Sequence, residues 1–317
     1  MSDNIIKAED EVKDNGGRFL FPSADGDRKQ AVDGCSALVS EVYWVHMEFA
    51  CCTEGLRKKE TIHMLQDTML KAPCTQDRLQ LTPAGAVNQV SGQLYPWQHG
   101  YFVFSAESDA EGSNKKYLEL YNRIARFYRL SNKLYFALKF GGERRYRQQF
   151  LSSLELHDGD LILETSVGSA DNFPYLGVKA ELYGLDISSG MLKQAVRNLR
   201  RWKLQAKLFQ GQAEQLPFAS DVFDCVYHVG GINYFSDPAA AVLEMIRVAK
   251  PGSKLMIADE TEQLVKGTYE NTPLVKEYFQ QDRKLPEIAG LIPQEMLELE
   301  YKEVCKGLMY CITFRKP

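Results

Sequence analysis

From Asp160 onward, short apolar runs alternate with stretches of helical periodicity, and this alternation is the feature that most constrains the fold. Strands that alternate with amphipathic helices form a parallel sheet, because each crossover helix returns the chain to the same end of the sheet. We interpret five runs as strands, namely 161–167, 180–187, 204–214, 221–229 and 253–260, with helices at 191–202 and 238–250. We therefore expect an α/β fold with a Rossmann-like, doubly wound, mostly parallel sheet.

The regions on either side of this pattern complete the predicted organisation. The stretch from Leu297 has the pattern of two strands about a turn at Lys306-Gly307, which would add an antiparallel C-terminal hairpin to the sheet edge. Helical periodicity over 118–154 is interrupted by Gly141-Gly142, which predicts two helices. The polar stretch at 106–114 has the composition of a linker. We thus expect an N-terminal extension (1–67), a small segment (68–106) and a main domain with a helical cap (115–317).

Charge and hydropathy exclude some classes of partner. The 38 Lys and Arg residues against 42 Asp and Glu residues give a formal net charge of -4, which offers no general attraction to a phosphate backbone. The polar, acidic start lacks a leader pattern, and the early apolar stretch 36–52 is interrupted by charged residues. We expect a cytoplasmic protein with no nucleic-acid partner and no membrane span. The oligomeric state stays open, a homodimer being one option.

The residues that carry chemistry begin where the first predicted strand ends. Glu164 ends that strand, and Gly168 follows four residues later in the turn that leads into a helix. A glycine there lets a ligand approach the backbone in the crevice outside the carboxyl ends of the strands. Asp186 closes the second strand, 22 residues after Glu164, where a carboxylate can accept both hydroxyl hydrogens of a ribose.

Four motifs extend this pattern along the chain. They are the Glu164–Ala170 turn, GLDISSGML (184–192), GQAEQLPFASDVFDCVYHV (211–229) and RVAKPGSKLMI (247–257). In this order and spacing they resemble the class I S-adenosylmethionine-dependent methyltransferases, and most nearly the ubiquinone and menaquinone biosynthesis methyltransferase-like group, over about 118–317. The chain departs from that family at Ala170, where Gly is common, and at Gln212, where Asp is common.

The resemblance implies a cofactor, S-adenosyl-L-methionine, and methyl transfer to carbon or oxygen of an apolar or aromatic small molecule. It implies that Gly168 lies beside the methionine moiety, Asp186 on the ribose, Ile187 against adenine, and Gln212 and Ala213 at the adenine amine. The full set of expected cofactor-binding residues is Glu164, Ser166, Gly168, Ala170, Asp186, Ile187, Met191, Gln212, Ala213 and His228.

The candidate catalytic residues are His228, Asn233 and Tyr128. His228 and Asn233 follow the fourth strand, where this family presents groups to its substrate, but a histidine there is as well explained by a hydrogen-bonded core position. Tyr121, Tyr128 and Tyr135 share one helix face and either roof the substrate cavity or pack on the sheet.

Residues 70–104 resemble the small zinc-ribbon-like domain that precedes some methyltransferases. Of the metal cysteines only Cys74 is present, and Asn88 and Ser91 occupy the second pair. Four-coordinate zinc cannot be assembled from this set, so we expect a degenerate ribbon and no metal ligands. Two other functions stay open: a non-methylating reaction of the bound cofactor, such as assistance to a cyclisation, and a non-catalytic binding or activator module.

Overall fold

The structure, a computed structural model, describes residues 20–21, 30–31, 69–269, 278 and 285–317, apart from the side chains of 20–21, 30–31, 124–136, 138 and 268–269. The chain divides into two compact units, Met1–Arg57 and Lys58–Pro317. In the first, β1 (Leu20–Phe21) pairs antiparallel with β2 (Gln30–Ala31). The rest of the predicted extension 1–67 lies outside the described residues.

The second unit is built on one sheet of 11 strands. The strands are β3 (Leu79–Thr82), β4 (Gly85–Asn88), β5 (Leu94–Gln98), β6 (Tyr101–Val103), β7 (Leu161–Thr165), β8 (Glu181–Asp186), β9 (Lys207–Gln210), β10 (Phe223–Val229), β11 (Ala249–Glu260), β12 (Leu297–Val304) and β13 (Met309–Arg315). Their order is β12-β13-β11-β10-β7-β8-β9-β6-β5-β4-β3. The strands from β11 to β6 in this order pair in parallel. The C-terminal hairpin adds antiparallel to β11. The predicted Rossmann-like sheet is confirmed.

The longer helices are α1 (Gly112–Phe140), α2 (Glu143–Leu151), α3 (Ser189–Trp202) and α4 (Pro238–Val248), and a single short turn spans Glu262–Leu264. Capping residues precede α3 and α4. The Ser188 hydroxyl oxygen accepts the Met191 N–H at the start of α3, and Lys203 ends it in a left-handed conformation. Asp237 caps α4 in the same way, directly before Pro238. The predicted break at Gly141-Gly142 is confirmed, since it separates α1 from α2. None of the described helices is long and apolar enough to cross a membrane.

The ribbon-like segment continues the main sheet. Strand β6 pairs in parallel with β9 through Phe102 and Phe209, whose rings stack at 5.7 Å. Strands β3 to β5 follow as an antiparallel meander. At the turn after β4, Asn88 Oδ1 accepts the N–H groups of Val90 and Ser91. Before β3, the Cys74 thiol donates to the Gln215 side-chain oxygen. Cys74, Asn88 and Ser91, the three positions compared with the metal cysteines of the zinc-ribbon pattern, thus all take part in hydrogen bonds within the protein.

The stretch interpreted as a linker is ordered and contacts the main domain. A 3-10 turn spans Glu107–Asp109, and α1 already begins at Gly112. Asn114 is buried, and its side chain bonds to the loops that follow β9 and β10. Most residues of this stretch are exposed, but Glu107 and Asn114 are anchored by distant partners.

Candidate cofactor and substrate site

The turn after β7 has an alternating left-handed backbone. Ser166 has φ 60°, Gly168 φ 54° and Ala170 φ 62°. Non-glycine residues rarely adopt this conformation, because their Cβ approaches the following carbonyl oxygen. At Gly168 an added Cβ would also lie 3.2 Å from the Met191 terminal methyl group. The left-handed φ favours glycine at position 168, and a larger residue there would press against the end of the Met191 side chain, which forms the opposite wall of the turn.

Asp186 ends β8 next to this turn. Its Oδ2 accepts the Gly168 N–H at 2.7 Å, and its Oδ1 accepts the Ser188 N–H at 2.9 Å. Burial raises the pKa of Asp186 to about 6, while the two backbone hydrogen bonds act in the opposite direction. The carboxyl group is therefore ionised at neutral pH, and each oxygen keeps lone-pair capacity for a further donor.

Glu164 lies at the carboxyl end of β7, fully enclosed by protein. One carboxyl oxygen accepts from the Asn172 amide, and the other accepts from the Tyr227 hydroxyl at 2.8 Å. Burial raises the pKa of Glu164 to about 8, against the effect of these hydrogen bonds and of nearby Arg147. The side chain is thus mostly neutral at pH 7: its protonated oxygen can donate to the Tyr227 hydroxyl oxygen, and the other oxygen accepts from Asn172. This geometry makes Glu164 a support of the turn.

Arg147 and Asn172 complete this support and were not singled out from the sequence. Arg147 on α2 is buried, pairs with Glu143 and donates to Oδ1 of the Asn172 side chain. Asn172 in turn donates to Glu164. Glu143, Arg147, Asn172 and Glu164 thus form a chain of polar contacts. Such a chain can be recognised only when the spatial neighbours of each residue are known.

The predicted adenine side of the site lies at the ends of β8 and β9. The Ile187 carbonyl oxygen accepts from the Gln210 side chain at 3.3 Å, which ties these two strand ends together. Ala213 is buried and Gln212 is half-buried. The fold thus brings Asp186, Ile187 and Gln212 to one edge of the sheet. The position of Asp186 was expected from the strand order, whereas those of Ile187 and Gln212 were expected from the family resemblance.

His228 is completely buried in β10, with both ring nitrogens bonded. Nδ1 lies 3.1 Å from the Thr165 hydroxyl, and Nε2 accepts the Ile232 N–H at 3.1 Å. Burial lowers the pKa of His228 to about 3. The ring is therefore neutral at physiological pH, and both nitrogens are in use. This arrangement corresponds to the alternative of a hydrogen-bonded core histidine.

Asn233 is held equally firmly in the turn after β10. Its amide donates to the Glu260 carbonyl oxygen at 2.8 Å, and its own carbonyl accepts the Tyr310 hydroxyl at 2.8 Å. The Asn233 N–H donates to Asp259, a buried carboxylate that also accepts the Gly231 N–H. Burial raises the pKa of Asp259. Together these contacts fix the backbone of the turn that β10 presents to the site.

An apolar and aromatic cluster lies over the loops that follow β10 and β11. It contains Leu120, Tyr234 and Val265, with Tyr117, Tyr278 and Leu285 packed against them. The rings of Tyr117 and Tyr234 lie 4.5 Å apart. The side chains of Tyr128 and Tyr135 fall outside the described residues, and Tyr121 is half-buried on α1. The predicted role of this tyrosine row therefore stays a prediction.

Three side chains that the sequence reasoning missed connect the start of α1 to this edge of the sheet. Glu107 accepts the Ser189 N–H at 2.9 Å, and Asn122 Oδ1 accepts the Gly190 N–H at 3.0 Å. Asn114 donates to Gln212 and Glu214. The first amides of α3 and the loop after β9 are therefore bonded from α1 or from the segment before it.

The site fits an adenosine-containing ligand. Asp186 supplies an ionised acceptor pair, which suits two neighbouring ribose hydroxyls. Within its turn, Gly168 carries no side chain, and an added Cβ would press against Met191. The protein donors and acceptors thus agree with the cofactor that the motifs implied.

Comparison with known proteins gives the same result. A family model described as a methyltransferase domain matches residues 163–257. The ubiquinone/menaquinone biosynthesis C-methyltransferase UbiE of Syntrophotalea carbinolica is 32% identical over 179 residues, which are 55% of this chain and 71% of that protein. The protein of the same name from Francisella philomiragia is 26% identical over 64% of this chain and 85% of its own length.

Among solved structures, one similar chain is a SAM-dependent methyltransferase of Thermotoga maritima, described as a possible histamine N-methyltransferase. It covers 61% of this chain and 98% of its own, with 18% identity and a TM-score of 0.47. The family match begins on β7 and runs through the strands that carry Glu164, Asp186 and His228. The chain belongs to the class I S-adenosylmethionine-dependent methyltransferases, and its cofactor is S-adenosyl-L-methionine.

Proposed function

We propose that this methyltransferase acts on an apolar or aromatic small molecule, at carbon or oxygen. The observation that carries the proposal is the cluster of Leu120, Tyr117, Tyr234 and Val265 over the ends of β10 and β11. Apolar and aromatic side chains with few polar groups are typical of sites for apolar ligands. The curated relatives named above, which act in quinone biosynthesis by name, support the same substrate class.

In this proposal the chain contributes placement and exclusion of water. The bound cofactor supplies a methyl group attached to a positively charged sulfonium. When the methyl group is transferred, the rest of the cofactor leaves as a neutral thioether. Asp186 holds the ribose, Ile187, Gln212 and Ala213 hold the base, and the turn with Ser166, Gly168 and Ala170 receives the methionine moiety, with Met191 beside it. The apolar cluster holds the acceptor in line and dry, which alone can supply a large part of the rate.

We assign positioning roles to the remaining predicted residues. His228 and Asn233 hold the turn after β10, because their polar atoms are occupied by Thr165, Ile232, Tyr310 and Glu260. Glu164 holds the turn after β7. Tyr128 stays a candidate for the acceptor side, and the cytoplasmic location stays a prediction.

The test is turnover with a panel of prenylated or hydroxylated quinone-like acceptors and, in parallel, polar amines. We expect S-adenosylhomocysteine to form with an apolar acceptor, and the product to gain one methyl group by mass spectrometry. Leu120→Asn should raise the KM for the acceptor and leave cofactor affinity unchanged. Leu243→Asn is the matched control, because Leu243 is exposed on α4. Turnover confined to the polar amines would refute the substrate class, and a product of unchanged mass would favour the cyclisation alternative.

A further inference from the structure

We infer that Asn114 on α1 fixes the orientation of the Gln212 side-chain amide and thereby selects adenine over a 6-oxo purine in the cofactor. The inference rests on the proposed placement of Gln212 at the adenine amine. It assigns a specificity role to a residue of the segment that the sequence indicated was a linker.

The orientation of the Asn114 amide is determined by two partners that each allow one role. The Ser236 N–H can only donate, and it lies 2.9 Å from Asn114 Oδ1. The Glu214 carboxylate can only accept, and it lies 2.8 Å from Asn114 Nδ2. Because Asn114 is buried, water does not compete with these bonds. The amide group of Asn114 thus presents N–H donors towards the loop after β9.

Gln212 is the second acceptor of these donors. Its Oε1 lies 3.3 Å from Asn114 Nδ2. An amide nitrogen at that place would put donor against donor, so Asn114 holds the carbonyl oxygen of Gln212 on this side. A carbonyl oxygen has two lone pairs, and Asn114 uses one. In the proposed placement of Gln212, the second lone pair accepts from the adenine amine.

This arrangement discriminates between bases at one position of the ring. Adenine carries an amino group at C6 and donates there, whereas hypoxanthine carries an oxygen and accepts. Aspartate, the common residue of the family here, offers only acceptors whichever way it turns. Glutamine offers an acceptor or a donor, so its selectivity depends on a neighbour that fixes the amide. Asn114 is that neighbour.

The experiment compares the affinities of S-adenosylhomocysteine and S-inosylhomocysteine by calorimetry. We expect Gln212→Ala to lower the ratio of the two affinities about fivefold to tenfold, and Asn114→Ala to lower it by about threefold or more, since a hydrogen bond contributes ~0.5–1.5 kcal/mol. Asn114→Asp retains the acceptor for Ser236 but loses the donor. Its carboxylate should draw the Gln212 amide nitrogen towards itself, turn the amide over and lower the ratio further than Asn114→Ala.

The matched control is Asn88→Ala. Asn88 is also buried and bonded through both ends of its amide, but it lies in the ribbon-like segment. It should lower the melting temperature and leave the ratio unchanged, so a general loss of stability cannot imitate the expected result. If Gln212→Ala lowers the ratio while Asn114→Asp and Asn114→Ala leave it unchanged, the inference is wrong and the placement of Gln212 stands. If Gln212→Ala also leaves it unchanged, that placement is wrong too.

Discussion

Replacement of Glu164 by glutamine should change how the stability of the protein depends on pH. Burial raises the pKa of Glu164 from 4.5 to about 8. Between these values the unfolded chain loses a proton that the folded chain keeps, so wild-type stability falls as pH rises through this window and levels off above it. One pKa unit corresponds to about 1.4 kcal/mol, so the window contains roughly 5 kcal/mol.

Glu164→Gln removes this titration with little change of shape. The glutamine oxygen can accept from Asn172 as before, and its amide nitrogen can donate to the Tyr227 hydroxyl oxygen. Between pH 5 and 8, we expect the difference in the free energy of unfolding between the variant and the wild type to increase in favour of the variant by about 1.4 kcal/mol for each pH unit. Urea unfolding followed by circular dichroism at three pH values measures this difference.

Glu155→Gln is the matched control. Glu155 is an exposed carboxylate whose pKa is lowered by hydrogen bonds from Arg315 and Lys254. The contribution of Glu155 to stability is present at high pH and is lost only as pH falls towards and below 4.5. The difference in the free energy of unfolding between Glu155→Gln and the wild type should therefore not change from pH 5.5 to 8. A flat curve for Glu164→Gln as well would show that the folded protein holds Glu164 ionised, which would refute the reasoning.

Two further predictions concern the cofactor and the ribbon-like segment. Asp186→Asn should weaken S-adenosylhomocysteine binding by ~1.5–3 kcal/mol, and the wild-type affinity should fall as pH drops below about 6 while that of the variant stays constant in calorimetric titrations; a constant wild-type affinity would contradict this. Trp97→Ala should lower the free energy of unfolding by ~3–5 kcal/mol, since the Trp97 ring packs edge-on against Phe102 at 4.8 Å, whereas a chelator should leave the melting temperature unchanged. Stoichiometric zinc bound through Cys74 would overturn the second expectation.

The parallel strands could be predicted because their signal is local. Each is a short apolar run that ends at a turn, and the place of Asp186 follows from strand order, whereas Gln212 was singled out by the family resemblance. The pairing of β6 with β9 could not be predicted in this way, since it joins Phe102 to Phe209 and neither run indicates the other. The limits of the strands differ by a few residues, as in the third, which shortens to Lys207–Gln210.

The roles of polar residues were harder to predict, because they depend on burial and on distant partners. The stretch before α1 is polar, yet Glu107 and Asn114 bond to residues 82 and 98 positions away. From the sequence, His228 is a residue at the end of an apolar run, but only its bonds to Thr165 and Ile232 show that both nitrogens are occupied. Type and position thus predict where a site lies, and the contacts decide what each side chain can do.

The turn after β7 leads to a last prediction, at Ala170. Its left-handed φ of 62° costs an alanine ~1–2 kcal/mol, which glycine would avoid. Glycine would lose ~0.5–1 kcal/mol through its more mobile unfolded chain and about 0.8 kcal/mol through the lost burial of the methyl group, because Ala170 is fully buried. These terms nearly cancel, so Ala170→Gly should change the free energy of unfolding by less than about 1 kcal/mol and leave cofactor affinity equal or higher. Gly168→Ala should weaken binding, because its Cβ would meet Met191. Calorimetry on both variants tests the contrast, and a marked loss of affinity in Ala170→Gly would show that the alanine methyl group itself shapes the site.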